Sequence, residues 1–581
     1  MLLQSPCLHP LEDVDLLHLI LLQSEIDFDY DTKRPIPERA AIRLLNSAAS
    51  RLTDSLCTSY RDTRRSGDAM LTIDPNDVAT RAAAAMQTLG PLQRIQLEGL
   101  DDDALATVLA AAGRTAHDRK LTGSSAGGMG LENLWLQRGQ FSGSCLYTCD
   151  PRLAAALPER SPLVDDVGCG PPSPSRSPKL LPRLLELDLG GCGQLTDAGL
   201  EALTAEAPLL AQLRITVNSR LSKPRLSCPW LRSATIAICT NLDDEAVDAL
   251  CAGAPLLREL SLWRCSSLRT PAIEARNLRT LNLCECAELT DGAIMHVAKN
   301  GAHLSSLYLA GCDALGGSTP HWGGGASLTT LDVSDLPSIT DAQLTAACVA
   351  SPELTRLDCS RSGPSVQVPV IGGPKLGALL CTKCEHLVDE SVSGACDRSP
   401  VLVSLMLALC TSLFSPRIHG EAITELNMSG CRLLQDAAVT HACKHCPRLA
   451  KLSLSLCAAL SEPIIVGASL RRVELSRAEG LSRPIIGGPL LEELALSGCP
   501  LLEDASLEGA MRHCPRLRRL MISGCTALEH ACIVGPSLRI LECHNVARAV
   551  VDGAADRMHC PQLASLACDV YGDGDGFAEV E

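Results

Sequence analysis

From Leu184 onward, aliphatic and polar positions recur in the phrase L-x-x-L-x-L, followed by a polar stretch and a second apolar segment. The phrase is complete in Leu257-x-x-Leu260-x-Leu262 and in Leu304-x-x-Leu307-x-Leu309. Its alternating end predicts a short β-strand with one buried face. The first aliphatic residues of seventeen copies lie at positions 184, 210, 231, 257, 278, 304, 328, 354, 376, 402, 423, 449, 470, 491, 517, 538 and 563.

The steps between copies mostly alternate between 26 and 21 residues, and both lie in the range of leucine-rich repeats. Long copies continue with an aspartate and apolar residues at helical spacing, as in Asp291, Ile294 and Val297. This pattern predicts a helix with the aspartate as its N-cap. Short copies carry Pro-Ile-Ile phrases instead, at 463–467 and 484–488. A proline and fewer residues favour an extended crossing there.

One repeat cannot bury its leucines alone, so neighbouring repeats must stack on a shared core. The sequence therefore predicts an α/β leucine-rich-repeat solenoid. It would be curved, with a parallel β-sheet on the concave face, helices or extended segments on the convex face, and an N-terminal helical cap. The predicted segments are a helical region (1–85), early irregular repeats with a Gly/Ser-rich insertion (86–157), a Pro/Ser-rich linker (158–180), the cysteine-containing solenoid (181–570) and an acidic tail (571–581).

Composition narrows the class of protein. Hydrophobic residues make up 46% of the 581 residues but aromatic residues only 2%, so the core must be aliphatic. The net charge of −16 argues against binding of a phosphate backbone, which requires clustered lysine and arginine. No window of eighteen consecutive apolar residues occurs, so no membrane-spanning segment and no membrane partner is expected.

Many of the thirty cysteines occupy one position, shortly after the strand phrase. With no secretory signal predicted, we interpret them as reduced thiols of a protein in the cytoplasm or nucleus, with cytoskeletal association as an alternative. Cys443 and Cys446 form a C-x-x-C pair, as do Cys381 and Cys384. All four match repeat positions, which favours burial over zinc binding. No motif assembles a catalytic site, and we predict no enzyme activity, cofactor or metal.

The phrase L-x-x-L-x-L-x-x-C-x-x-L-T-D-x-G-L, closing with C-P-x-L, resembles the cysteine-containing repeats of F-box/leucine-rich-repeat proteins, and the alternating short repeats look like the plant and algal members. The resemblance implies a substrate receptor of an SCF-type ubiquitin ligase, with a Skp-type adaptor and a cullin as partners. Residues 10–20 resemble a degenerate first F-box helix, whose implied adaptor contacts are Leu11, Leu16, Leu17 and Ile20. A simple helical cap is the alternative for this region.

Polar residues between the strand leucines should line the concave face and meet a protein partner. Trp263 and Tyr308 are two of only nine Trp and Tyr residues, and such residues are enriched at interface hot spots. The predicted partner site consists of Glu259, Trp263, Asn282, Tyr308, Asp332 and Asp358. The alternatives are that the aromatic side chains only cover aliphatic surface, and that the chain is a scaffold, for example on the cytoskeleton, without ligase contact.

Overall fold

The structure is a computed structural model that divides into two compact units, one ending at Asn277 and the other beginning at Leu278. It describes residues 94–98, 101–103, 105–106, 108–110, 133–138, 141–142, 179–316, 325–547, 550 and 560–568. The predicted helical region, most of the linker and the acidic tail lie outside the described residues. So do the four adaptor contacts Leu11, Leu16, Leu17 and Ile20.

The described part of the first unit holds six strands that pair in parallel, each with the next along the chain. They are β1 (Arg94–Glu98), β2 (Asn133–Gln137), β3 (Glu186–Gly190), β4 (Gln212–Thr216), β5 (Ser233–Ala237) and β6 (Glu259–Ser261). Helix α1 (Asp197–Ala205) connects β3 to β4, and α2 (Asp244–Gly253) connects β5 to β6.

The second unit contains a longer parallel sheet of the same kind. Its described strands are β7 (Thr280–Asn282), β8 (Ser306–Tyr308), β9 (Thr330–Asp332), β10 (Arg356–Asp358), β11 (Ala378–Leu380), β12 (Ser404–Met406), β13 (Glu425–Asn427), β14 (Lys451–Ser453), β16 (Arg472–Glu474), β18 (Glu493–Ala495), β19 (Arg519–Met521), β20 (Ile540–Glu542) and β21 (Ser565–Ala567). Its helices are α3 (Asp291–Asn300), α4 (Asp341–Ala350), α5 (Asp389–Arg398), α6 (Asp436–His445) and α7 (Asp504–His513). The predicted leucine-rich-repeat architecture, parallel strands with helices between them, is confirmed.

The strands form because alternate side chains point to opposite sides of each strand. In β8 the central Leu307 is 2% exposed, and in β10 the central Leu357 is fully buried. Residues on either side of these leucines are intermediate or exposed. One face of each sheet therefore packs on the aliphatic core and the other face, called the open face below, is accessible.

Strands β2 to β14, β16 and β18 to β20 end in the same sharp turn, which links one repeat to the next. The turn residue has a positive φ, for example 70° at Gly311 and 56° at Arg361, a conformation that glycine adopts most easily. Its N–H donates to a carbonyl oxygen of the following repeat, as from Gly430 to Ser455 at 2.7 Å. Because the bond crosses between repeats, the turn aligns them in register.

The aspartate that recurs in the long repeats does not cap its own helix, so that prediction is wrong. Thr290 is the N-cap of α3, and Asp291 is the first helical residue. The carboxylate instead accepts hydrogen bonds from backbone N–H groups of the next repeat. Asp436 Oδ1 accepts from Ser461 N and Asp436 Oδ2 from Glu462 N, both at 3.0 Å. The aspartate therefore joins the helix to the following crossing segment.

The Pro-Ile-Ile segments are extended, as the sequence predicts. β15 (Ile464–Val466) and β17 (Ile485–Gly487) pair in parallel as a separate two-stranded sheet. They arise because two short repeats follow each other here, between α6 and α7. Two extended crossings therefore lie side by side where a helix would otherwise intervene.

We predict that Asp436→Ala loosens the junction between repeats. The change removes the acceptor for two backbone N–H groups and for the Ser461 hydroxyl, which donates to Oδ2 at 3.0 Å. Hydrogen bonds to a charged group contribute about 1.5–3 kcal/mol each, with partial recovery by water. Hydrogen exchange of the Ser461 and Glu462 amides should accelerate. Exchange in Asp436→Asn, which keeps one acceptor oxygen, should be intermediate between the wild type and Asp436→Ala. As a control, Glu421→Ala at an exposed position should leave the exchange of both amides unchanged.

Candidate functional site: the open face of the sheet

Four of the six predicted site residues come together on the open face of the second unit. Asn282 lies beside Tyr308, Tyr308 beside Asp332, and Asp332 beside Asp358, through the parallel register of β7 to β10. All four side chains are half-buried. Neighbouring strands are about 4.8 Å apart, so the row spans roughly 14 Å.

The other two predicted residues, Glu259 and Trp263, belong to the first unit. Glu259 opens β6 and its carboxylate accepts a hydrogen bond from the Ser233 hydroxyl at 3.1 Å. Trp263 follows the strand, and the guanidinium of Arg264 lies over its ring, 5.1 Å from the ring centroid. The set predicted as one site is therefore divided between the two units, and only the four residues from Asn282 to Asp358 form one row.

The polar members of this row also have a structural role. Asn282 and Asp358 each accept, through Oδ1, the backbone N–H two residues later, at 2.9 and 3.1 Å. Asp332 accepts both the N–H and the hydroxyl of Ser334, at 3.0 and 2.7 Å. Such Asx turns explain why Asn and Asp, rather than larger polar residues, stand at the end of these strands.

Capacity for binding remains after these turns are satisfied. A carboxylate offers about four acceptor positions on two oxygens, and each turn uses only Oδ1. Asp332 and Asp358 lie side by side on neighbouring strands, and Tyr308 adds an aromatic ring with a hydroxyl group. The row can thus accept hydrogen bonds from lysine, arginine or backbone amide groups of a partner while packing against apolar side chains.

Sequence reasoning missed a second polar group, on the open face of the first unit. The register of β2, β3 and β4 brings Trp135, Asp188 and Arg214 side by side. Burial raises the pKa of Asp188, and the Arg214 guanidinium, 4.0 Å away, opposes that rise. Trp135 occupies the alternating position of Leu134-x-Leu136, so the pattern that identified Tyr308 could also have identified it.

Further along the second unit the open face is strongly charged. Most of these charges pair across neighbouring strands, and Arg472 also pairs with Glu474 of its own strand. The ion pairs are Lys451–Glu425 (2.6 Å), Arg472–Glu474 (2.7 Å), Arg472–Glu493 (3.2 Å) and Arg519–Glu542 (2.6 Å). Sequence reasoning identified several of these positions as outward-facing but not their pairing, which depends on the strand register. The paired charges largely neutralise one another, so the row from Asn282 to Asp358 is chemically distinct.

The repeated cysteine has a definite function in the fold. Its thiol donates to the carbonyl oxygen at the strand end of the preceding repeat, as from Cys410 to Cys381 at 2.9 Å and from Cys457 to Met428 at 3.1 Å. Cysteine is small and largely apolar but carries a weak donor, which suits a buried position facing a carbonyl group. Burial raises the pKa of the thiol to about 12 at Cys431 and Cys457.

The cysteine pairs singled out by spacing are buried as well. Cys443 and Cys446 lie at the end of α6, and Cys384 donates to the carbonyl oxygen of Cys359 at 3.1 Å. The sulfur atoms of Cys359 and Cys381 are 3.3 Å apart. Among the residues that the structure describes, no three His, Cys, Asp or Glu side chains converge as metal ligands.

Comparison with known proteins agrees with the repeat architecture. A family profile described as Leucine Rich repeat matches residues 182–203. No curated protein sequence matches the chain. The chain is similar to the yeast Rad7 and Elc1 complex structure, with 13% identity, TM-score 0.32, and coverage of 85% of this chain and 96% of the other. It is also similar to InlJ of Listeria monocytogenes, which includes a cysteine ladder, with 17% identity, TM-score 0.27, and 64% of each chain covered.

A third similar structure is the leucine-rich-repeat ectodomain of the Arabidopsis thaliana receptor kinase GASSHO1/SCHENGEN3, in complex with CASPARIAN STRIP INTEGRITY FACTOR 2. It has 14% identity and TM-score 0.28, and 82% of this chain and 63% of the other are covered. The chain has the leucine-rich-repeat fold, which typically presents an extended binding surface rather than a catalytic centre. None of the described helices has both the length and the apolarity needed to cross a bilayer.

Alkaline pH should destabilise the fold through the buried thiols. The thiol of an unfolded cysteine has a pKa of about 8.5, whereas burial raises the pKa of Cys457 to about 12. A group whose pKa is raised on folding stabilises the native state below its unfolded pKa. That contribution is lost as pH rises from about 8.5 towards 12, by at most about 1.4 kcal/mol per pH unit and thiol.

The thermal midpoint should therefore remain level up to about pH 8 and fall above it. Cys457→Ala should be less stable than the wild type at neutral pH yet lose less stability on transfer to alkaline buffer. Cys532→Ala, at an exposed position, should follow the wild-type curve. A Cys457→Ala curve parallel to that of the wild type would refute the thiol mechanism.

Proposed function

We propose that the chain is a protein-recognition module that binds a partner protein through the open face of its second unit. The observation that carries this proposal is the row formed by Asn282, Tyr308, Asp332 and Asp358 on four neighbouring strands. It combines a half-buried aromatic side chain with adjacent carboxylates. A partner segment with basic or amide donors beside an apolar side chain fits this chemistry.

We further propose that the bound protein is presented for ubiquitination, with this chain as the substrate receptor of an SCF-type ligase. Support comes from the resemblance of the repeat phrase to F-box/leucine-rich-repeat proteins. The alternation of long and short repeats, and the buried cysteine that follows many of the strands, agree with that resemblance. Glu259 and Trp263 remain candidate contacts on the open face of the first unit.

The open-face proposal predicts that charge, and not only local structure, matters at the row. Asp332→Asn with Asp358→Asn keeps the oxygen that accepts each Asx-turn N–H but removes both charges. Combined with Tyr308→Ala, it should reduce the amount of partner protein recovered by proximity labelling of the full chain. The affinity for the partner should fall by about 30-fold. A matched variant is Ser453→Ala with Asn427→Ser on the same sheet face, which should recover the wild-type set.

If the row serves only to close the strand ends, the Asn substitutions leave the recovered set unchanged, and the open-face proposal is wrong. Circular dichroism and thermal melting of each variant separate this result from misfolding. Wild-type melting together with loss of specific partners supports a recognition surface.

The ligase proposal predicts direct binding of a purified Skp-type adaptor. Leu16→Asp with Leu17→Asp should abolish complex formation in size-exclusion chromatography, because apolar anchors are replaced by charges. Gln23→Asp, in the same segment, should retain the complex. Absence of adaptor binding by the wild-type chain, with open-face partners still recovered, would favour the scaffold alternative and leave the recognition surface intact.

A further inference from the structure

The layer opposite the open face of the second unit has a trough where two short repeats follow each other. Between α4 and α5, and between α5 and α6, the chain makes a single extended crossing. Between α6 and α7 it makes two, β15 and β17, which pair with each other. α6 packs along β15 and α7 along β17, so the helices form the two walls and the strands form the floor.

The floor is apolar and accessible. Ile465 and Ile486 point inward and are buried, whereas Ile464, Val466 and Ile485 point outward and are 43%, 50% and 56% exposed. Gly487 opposes Val466 and adds no side chain to the floor. These three branched aliphatic side chains form one contiguous exposed apolar patch.

The dimensions suit a single helix seated above the midline of the trough, where it can lie about 8–10 Å from both walls and still face the floor. Successive repeats are about 5 Å apart. Elsewhere in this unit consecutive helices are separated by two repeats, but α6 and α7 are separated by three, which places them roughly 15 Å apart. Helices in contact lie 8–10 Å apart, so α6 and α7 leave the floor uncovered. The crossing from residue 463 to 467 is about 16 Å long, which matches about 11 helical residues.

The two ends of the trough differ in charge. Both crossings run in the same direction as the helices. Glu462 N, just before β15, donates to Asp436 Oδ2 at the start of α6, and Gly488 N, just after β17, donates to the carbonyl oxygen of His513 at the end of α7. At the first end, Arg483 is held between Glu462 and Glu503, at 3.4 and 3.2 Å.

The second end is basic. The exposed cations at or just after the ends of α6 and α7 are Lys444, Arg448, Arg512 and Arg516. Only Glu508, paired with Arg512 at 3.0 Å, offsets them among the described residues of α7. A helix with acidic residues in its first turn matches both this end and its own dipole, since anions are stabilising at helix N-termini.

We propose that this trough docks one amphipathic helix of a partner protein, with its apolar stripe on Ile464, Val466 and Ile485 and its acidic first turn at Lys444 and Arg512. The docked helix runs antiparallel to α6 and α7. It occupies a site separate from the open face, so the chain can hold two protein segments at once.

The test uses the full chain and stapled, fluorescein-labelled peptides of about 15 residues, which are helical before binding. One peptide carries a leucine stripe and glutamates in its first turn, and a second has glutamine at those positions. Fluorescence anisotropy should give saturable binding of the acidic peptide. Ile485→Glu should weaken it about tenfold or more, because a charge is placed against apolar side chains.

Val368→Glu is the matched control. Val368 is 55% exposed and points outward from a single extended crossing, as Ile485 does from the double one. This variant should bind the acidic peptide as the wild type does. Lys444→Gln should weaken the acidic peptide but not the glutamine peptide, which identifies the charge contact in the first turn.

Three results would overturn the proposal. They are an absence of saturable binding by the acidic peptide, equal effects of Ile485→Glu and Val368→Glu, and self-association of the wild-type chain in sedimentation that Ile485→Glu abolishes. The last result would assign the trough to a second copy of the chain. Thermal melting of each variant distinguishes loss of the site from loss of the fold.

Discussion

The structure depends on interactions that each repeat makes with the next, because no repeat can satisfy its own buried groups. The leucines need a neighbouring layer to exclude water, and the backbone at each strand end needs partners from outside its own repeat. Three side chains or turns meet this need at fixed places: the positive-φ turn, the cysteine thiol and the aspartate at the helix start. At Gly430, Cys457 and Asp436 these bonds all cross between repeats.

This constraint explains why the residues that join repeats and the outward strand residues differ in how freely they can vary. The residues that join repeats have the same role from one repeat to the next, so they cannot encode a particular partner. The outward strand positions need satisfy only mild local demands. Asp332 and Asp358 complete Asx turns yet keep acceptor capacity, and Lys451 and Glu425 pair with each other. Specificity for a protein partner would therefore depend on these outward positions and on departures from the repeat pattern.

The trough between α6 and α7 is such a departure. Its walls and floor follow from the loss of one helix, and its exposed isoleucines stand where the crossing between α5 and α6 places Arg417 and His419. Two separate surfaces on one unit would suit a protein that brings macromolecules together. The proposed recognition role needs only the open face, whereas the trough adds a second, independent contact.

The sequence by itself determined the repeat period, the strand positions and the extended form of the short crossings, because leucine spacing and proline act locally. It also identified Tyr308, Asp332 and Asp358 as outward-facing. Only the tertiary structure decided that Asp291 belongs to the first turn of its helix, that the cysteine donates to the previous repeat, and that Trp135 stands beside Asp188. These facts depend on register between repeats, which is a contact between residues some twenty to fifty positions apart that no local pattern specifies.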